Sequence, residues 1–181
     1  MAKICGIVDS KCTQKELKKL MYSFILSLKN APPYQNSSIT LAGISLGQIN
    51  LNQINTTQPF WNKEKDLVII MAGKIFGNEE KNDLRFILDA YQKSKQNKIN
   101  FKKFVSNLNG IFAFAIYDKK KRKIILVNDR YGYRPLFYYQ DKNKLIFASE
   151  VKAILQDETI KKNIDWKAWA DFIYMGTIYG N

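Results

Sequence analysis

Residues 109–155 read NGIFAFAIYDKKKRKIILVNDRYGYRPLFYYQDKNKLIFASEVKAIL. This stretch holds four short apolar runs separated by charged turns. In Gly110–Tyr117 both alternating sets are apolar: Ile111, Ala113, Ala115 and Tyr117 on one, Phe112, Phe114 and Ile116 on the other. A strand with no polar face needs cover on both sides. Lys119–Lys123 is too charged to bury and reads as a turn, after which Ile124–Val127 returns antiparallel. Leu136–Tyr139 and Lys144–Ala148 flank the polar turn Gln140-Asp141-Lys142-Asn143 and read as a second hairpin. Asp129-Arg130-Tyr131-Gly132-Tyr133-Arg134-Pro135 joins the two. Gly132 permits a tight bend, and Pro135 keeps Arg134 extended.

Outward from this stretch, Lys3–Asp9 reads as a short strand. Thr13 starts a helix, and Glu16 three residues on completes a capping box. Leu17, Leu20, Met21, Phe24 and Leu28 give that helix one buried face, and Pro32-Pro33 stop it. Asn30–Ser38 reads as a polar loop. Ile39–Ile49 reads as one or two strands, bent at Gly43 or Gly47, and Gln48–Gln58 as an exposed loop. Leu67–Ala72 (LVIIMA) reads as a buried strand that Gly73–Gly77 continues or turns. Leu84, Ile87, Leu88 and Tyr91 form a second amphipathic helix, with Asn82 or Asp83 as N-cap. Phe101, Phe104, Val105 and Leu108 form a third, stopped by Asn109-Gly110. A short helix starts at Glu150–Leu155. A last one, capped by Asp165, carries Trp166, Trp169, Ala170 and Ile173 along one face.

The 181 residues are 46% hydrophobic and 13% aromatic, which excludes a disordered chain and suits one domain with a substantial core. No apolar run approaches the ~20 residues that span a bilayer. The first residues lack the apolar segment of a signal peptide, so the expected address is cytoplasmic, with no membrane partner. Two cysteines, Cys5 and Cys12, and no histidine leave too few ligands for a cysteine–histidine metal site. They also exclude Ser-His-Asp and Cys-His catalysis within the chain. A nucleophile here needs another base, and a chain's own α-amine, with a pKa near ~7.7–8.0, is one. The net charge is +13, but the lysines are scattered over turns and helix faces. That pattern predicts a solvated surface without specific nucleic-acid binding.

FAFAIYD, DRYGYRPLFYY and FASEVKAIL, in this order and spacing, resemble the second half of the glutaminase domain of class II glutamine amidotransferases. The likeness is strongest to the N-terminal domain of asparagine synthetases and asparagine-synthetase-like enzymes. Cys5-Gly6-Ile7-Val8 resembles the family's opening Cys-Gly-Ile, so the resemblance runs over about residues 4–180. It implies an α+β fold, the four-layer α-β-β-α sandwich of N-terminal nucleophile hydrolases: two antiparallel sheets flanked by helices. It divides the chain into an amidotransferase-like domain, residues 1–155, and a C-terminal helix with the start of a linker, residues 156–181. That linker leads toward a synthetase domain absent from this sequence. The implied partners are a synthetase domain or subunit and glutamine, with no cofactor and no metal.

In the family the nucleophilic cysteine is the first residue of the mature chain; its thiol attacks the glutamine amide and its α-amine moves the proton. The resemblance gives that role to Cys5, only if residues 1–4 are removed, because an amide nitrogen has its lone pair delocalised. It gives Gly73 a backbone oxyanion donor and Asp83 the substrate amine, although Asp83 also reads as a helix cap. Other positions depart from the family pattern. Ser45 stands where an arginine grips the glutamine carboxylate. Ala72 replaces an oxyanion-hole asparagine, a loss of about 10²–10³ in turnover, and Lys74 replaces a glutamate. Asp129, Arg130 and Arg134 read as structural, an Asp–Arg pair fixing a corner. The expectation is a degenerate amidotransferase domain acting as scaffold or docking module for an ATP-dependent amide-forming domain or partner. The alternative is an active glutaminase, converting glutamine to glutamate and ammonia through Cys5 and supplying asparagine synthesis.

Overall fold

The computed structural model describes residues 2–29, 34–51, 57–78, 80 and 82–178. Nine strands and five helices are defined among them: β1 (Lys3–Asp9), α1 (Gln14–Leu28), β2 (Tyr34–Leu41), β3 (Ile44–Leu51), β4 (Phe60–Trp61), β5 (Leu67–Ile75), α2 (Asp83–Lys95), α3 (Phe101–Ser106), β6 (Gly110–Asp118), β7 (Lys123–Asn128), β8 (Phe137–Gln140), β9 (Lys144–Ala148), α4 (Val151–Ile154) and α5 (Trp166–Met175). The strands make two sheets, ordered β2-β3-β1-β9-β8 and β4-β5-β6-β7. Every pairing is antiparallel.

Three apolar layers hold four structural layers together, and strand alternation sorts side chains among them. Along β1, Cys5 and Ile7 face Leu17, Met21, Phe24 and Leu28 of α1. Ile4 faces the opposite way, joining Leu46 and Phe147 against Val68, Ile70 and Ala72 of the second sheet. The other faces of β5 and β6 bury Ile69, Met71, Phe112 and Phe114 against Leu84, Ile87 and Leu88 of α2. Each fully buried side chain of this size contributes about 1.5–3 kcal/mol relative to exposure. The sandwich expected from the two-faced strands is therefore present.

Local signals fix the ends. Thr13 and Glu16 close the expected capping box: the Glu16 N–H donates to Thr13 Oγ1 (3.3 Å), and the Thr13 N–H donates to Glu16 Oε2 (2.8 Å). Asn82, not Asp83, caps α2 through Oδ1, which accepts from the Leu84 and Arg85 N–H groups. Three expectations change. Tyr34–Ser38 belongs to β2 rather than to a loop: backbone pairing with β3 holds it as an edge strand, where a run of polar side chains can stay in solvent. The strand β3 runs through Leu51, so only part of 48–58 is loop, and 52–56 lie outside the described residues. Helix α3 ends at Ser106 with Asn107 as its cap, ahead of Asn109-Gly110, which opens β6.

The two hairpins of residues 109–155 go to different sheets. β6–β7 completes one, and β8–β9 crosses to the other, where β9 pairs with β1. The corner between them carries the chain from one sheet to the other. At the far end, α5 contains no buried residue. Trp166, Trp169, Phe172, Ile173, Tyr174 and Met175 are all more than half exposed. No helix among the described residues is long and apolar enough to cross a membrane.

Candidate active site

The residues expected to act together lie on both sides of the first sheet. Cys5 sits mid-strand, paired with Gly47 on one side and Ala148 on the other. Its side chain faces α1, is fully buried, and lies with Sγ 3.6 Å from Met21 Sδ. Gly47 leaves the room for this contact, since a Cβ there would meet Met21 Sδ at 2.6 Å and Cys5 Sγ at 3.2 Å. Burial pushes the Cys5 thiol up to about 12. The thiolate is the reactive form, so almost no nucleophile exists at neutral pH in this environment. The opposite face of β1, toward the second sheet, carries Ile4 and Val8, with Ala2 just ahead of the strand.

Gly73 lies on β5, in the second sheet. The Phe76 N–H donates to Asn109 O (2.7 Å), which sets the phase of the β5–β6 ladder. Antiparallel alternation then turns the backbone N–H groups of Met71, Gly73 and Ile75 away from β6. The first is taken by Gln58 Oε1 (2.7 Å) and the third by Asp83 Oδ2 (3.0 Å). The Gly73 N–H between them meets no acceptor among the described residues. Gly73 has φ +104°, and a Cβ would stand 2.0 Å from Ile111 O. Only glycine gives this backbone geometry. An open N–H on a half-buried strand edge is the kind of group that can serve as an oxyanion donor. Ala72 beside it points into the core between the sheets and carries no donor; Lys74 is exposed.

Asp83 is near Gly73, but both of its oxygens are occupied. Oδ2 accepts the Ile75 N–H, and Oδ1 accepts the Asn78 side-chain amide at 2.8 Å. The structure thus brings Gly73 and Asp83 to one edge of β5 and leaves Cys5 on the far side of the first sheet. Ser45 also faces the α1 side. Its hydroxyl lies 2.8 Å from Thr40 Oγ1 and donates to Ile39 O (3.1 Å). The position on β3 that shares a face with Ile44 and Leu46, toward the second sheet, is Gln48. Gln48 is only 4% exposed, and its amide nitrogen has no hydrogen-bond partner among the described residues. The sequence held a signal for it: Gln48 falls on the parity of two inward apolar residues. Gln58, which secures the Met71 N–H, had no such signal, lying in a stretch read as a loop.

The corner at Asp129 is built differently from the pair expected. Its carboxylate accepts three backbone N–H groups, from Tyr131 (3.1 Å), Tyr133 (3.1 Å) and Arg134 (2.9 Å). Burial alone would raise its pKa, but these hydrogen bonds outweigh it and hold Asp129 below the usual carboxylate range. Among the described residues no guanidinium pairs with it; Arg130 donates instead to Ser106 O (3.2 Å).

Comparison with known proteins follows the same lines. The family model for the glutamine amidotransferase domain matches residues 1–180. Asparagine synthetase [glutamine-hydrolyzing] 2 of Bacillus subtilis is 33% identical over 125 residues, 62% of this chain and 16% of that protein. Putative asparagine synthetase [glutamine-hydrolyzing] 2 of Methanocaldococcus jannaschii is 36% identical over 126 residues, 62% of this chain and 23% of that protein. Asparagine synthetase B of Escherichia coli is 27% identical over 174 residues, 86% of this chain and 30% of that protein. The chain therefore spans less than a third of the length of these relatives. Among solved structures, glutamine phosphoribosylpyrophosphate amidotransferase from B. subtilis superposes with a TM-score of 0.59 at 16% identity, covering 84% of this chain and 42% of that one. At that identity the likeness is one of fold.

Proposed function

From the premise that this chain belongs to the glutamine amidotransferase domain family, related to the glutaminase domains of asparagine synthetases, we propose that it is a degenerate member. It keeps the fold and part of the oxyanion edge, and it serves as scaffold or docking module for an ATP-dependent amide-forming domain or partner. One observation carries this reading: the thiol of Cys5 is sealed against α1, on the wrong side of its sheet from Gly73. Facing the second sheet, the head of β1 offers the methyl of Ala2, which cannot attack an amide. Gln48 offers an uncharged amide where a glutamine carboxylate would need a cation. The apolar, uncovered α5 supports the docking half of the proposal, with residues 156–181 as the surface toward a synthetase domain. Its exposed aromatics exceed what a solvated helix carries.

The test is ammonia release from glutamine, measured on the chain as given, on a version beginning at Cys5, and on Cys5→Ala. All three are expected at background. Turnover of about 1 s⁻¹ or faster, within the ordinary enzyme range, that Cys5→Ala abolishes in either version overturns the reading. A gain of turnover in the combined Ala2→Cys, Gln48→Arg, Ala72→Asn, Lys74→Glu chain, with Met1 removed, supports it and locates the lost groups.

A further inference from the structure

The outer edge of the second sheet is unprotected. Among the described residues β7 pairs with β6 alone. The Asp129 N–H donates to Phe112 O (2.8 Å), and in the observed register this gives Val127, Ile125 and Lys123 to β6. The backbone groups of Ile124, Leu126 and Asn128 then point outward, with no strand partner among the described residues. Sheet edges are ordinarily guarded by charges, bulges or proline. Here Lys123 guards only the start, and Ile124–Val127 are four apolar residues in a row, each half-buried.

Beside this edge runs a groove of about 590 Å³ between α2, α3 and β7. Phe101, Val105, Ile125 and Val127 give it an apolar floor, and Lys102, Lys121 and Lys123 a basic rim. These three lysines are exposed, and none has a carboxylate within ion-pair distance among the described residues. Lys95, deeper in the groove, is already committed to Asp118 (3.0 Å).

We propose that this edge and groove bind an extended, acidic segment of a partner protein, added as a strand beside β7 with its alternate apolar side chains in the groove. Strand addition draws affinity from main-chain hydrogen bonds and selectivity from pockets for every second side chain; the outward backbone groups and the groove supply the two. Charge chooses the partner. A chain of net charge +13 repels a second copy of itself and attracts an acidic segment. The site lies away from the β5 edge and does not depend on the amidotransferase reading.

The experiment is fluorescence anisotropy of a labelled Glu-Val repeat peptide, about eight residues long to match a strand, against the whole chain at physiological salt. Three competitors are used: the same peptide N-methylated at alternate residues, a Lys-Val repeat, and dodecanoate. The unmodified acidic peptide binds. N-methylation, which removes main-chain donors, and the double variant Lys102→Glu/Lys123→Glu each weaken binding about tenfold or more. Lys18→Glu/Lys19→Glu on exposed α1 changes it less than about twofold. The proposal is overturned if the N-methylated or Lys-Val peptide competes equally, if Lys18→Glu/Lys19→Glu costs as much as the groove variant, or if nothing binds at about 1 mM. It is also overturned if dodecanoate displaces the peptide at equal concentration, or if sedimentation shows the chain pairing with itself through an edge that Lys123→Glu breaks.

Discussion

Two places in the second sheet turn backbone N–H groups away from the strand ladder, and they treat them differently. At the corner after β7, Asp129 gathers three of them onto one carboxylate. Along the edge of β5, Gln58 and Asp83 take the first and third N–H groups, and the one between, on Gly73, is left open. Burying a donor without a partner costs about 1–3 kcal/mol. The corner thus satisfies all three of its donors, and the β5 edge leaves one half-buried donor open between two satisfied ones. The corner closes on itself; the edge leaves a donor facing outward.

The largest expected effect tests the edge. Gly73→Ala places a Cβ 2.0 Å from Ile111 O at a φ of +104°, and it should destabilise the protein by about 3 kcal/mol or more. Urea denaturation reads this as a fall in midpoint. A change below about 0.5 kcal/mol would mean the strand relaxes freely and the open N–H is not a fixed feature.

Next is the corner. Asp129→Asn keeps one acceptor oxygen but brings an NH₂ against a backbone donor, and it should cost about 2 kcal/mol. The effect depends on pH. The folded pKa of Asp129 is lowered, so its contribution is fully present above the unfolded value near ~3.9 and is lost as pH falls through the folded value. The stability gap between wild type and variant should therefore be full at neutral pH and narrow in acid. A gap constant from pH ~7 to ~3 would remove the carboxylate from the account.

The smallest effect compares the two acids directly. Asp83→Asn retains an oxygen for the Ile75 N–H but loses the acceptor of the half-buried Asn78 side-chain amide and a charge in the first turn of α2, so about 1 kcal/mol is expected. If it costs as much as Asp129→Asn, the edge is as much a structural clamp as the corner, and the contrast between them fails.

Much of this was legible in the residues. Strands apolar on both faces demanded two sheets under helices, and Thr13 with Glu16 marked the start of α1. Leu67–Ala72 reads as a buried strand, and of the two readings left for Gly73–Gly77 the structure takes continuation as far as Ile75. What stayed hidden was direction. In Ile4-Cys5-Gly6-Ile7 every side chain is apolar, so alternation cannot say which face meets helix and which meets sheet. Ser45 and Gln48 differ in parity, and although Gln48 shares the parity of Ile44 and Leu46, only the pairing of β3 with β1 confirms that this face looks toward the second sheet. The destination of the second hairpin was equally silent, because β8–β9 pairs locally in the same manner whichever sheet receives it.

The first strand has one more consequence. Lys3 donates to Leu28 O (2.7 Å) and pairs with Glu150, and the Ile4 N–H donates to Ser149 Oγ (2.9 Å) while Ile4 O accepts from the Ser149 N–H (2.9 Å). The peptide bond between Ile4 and Cys5 lies inside the central strand of a five-stranded sheet. A peptidase reads an extended segment lifted free of its neighbours, and freeing this one means opening the sheet at its middle. A cut between Ile4 and Cys5 would therefore need a chain on which β3 and β9 have not yet closed on β1, and the closed sheet shields that bond.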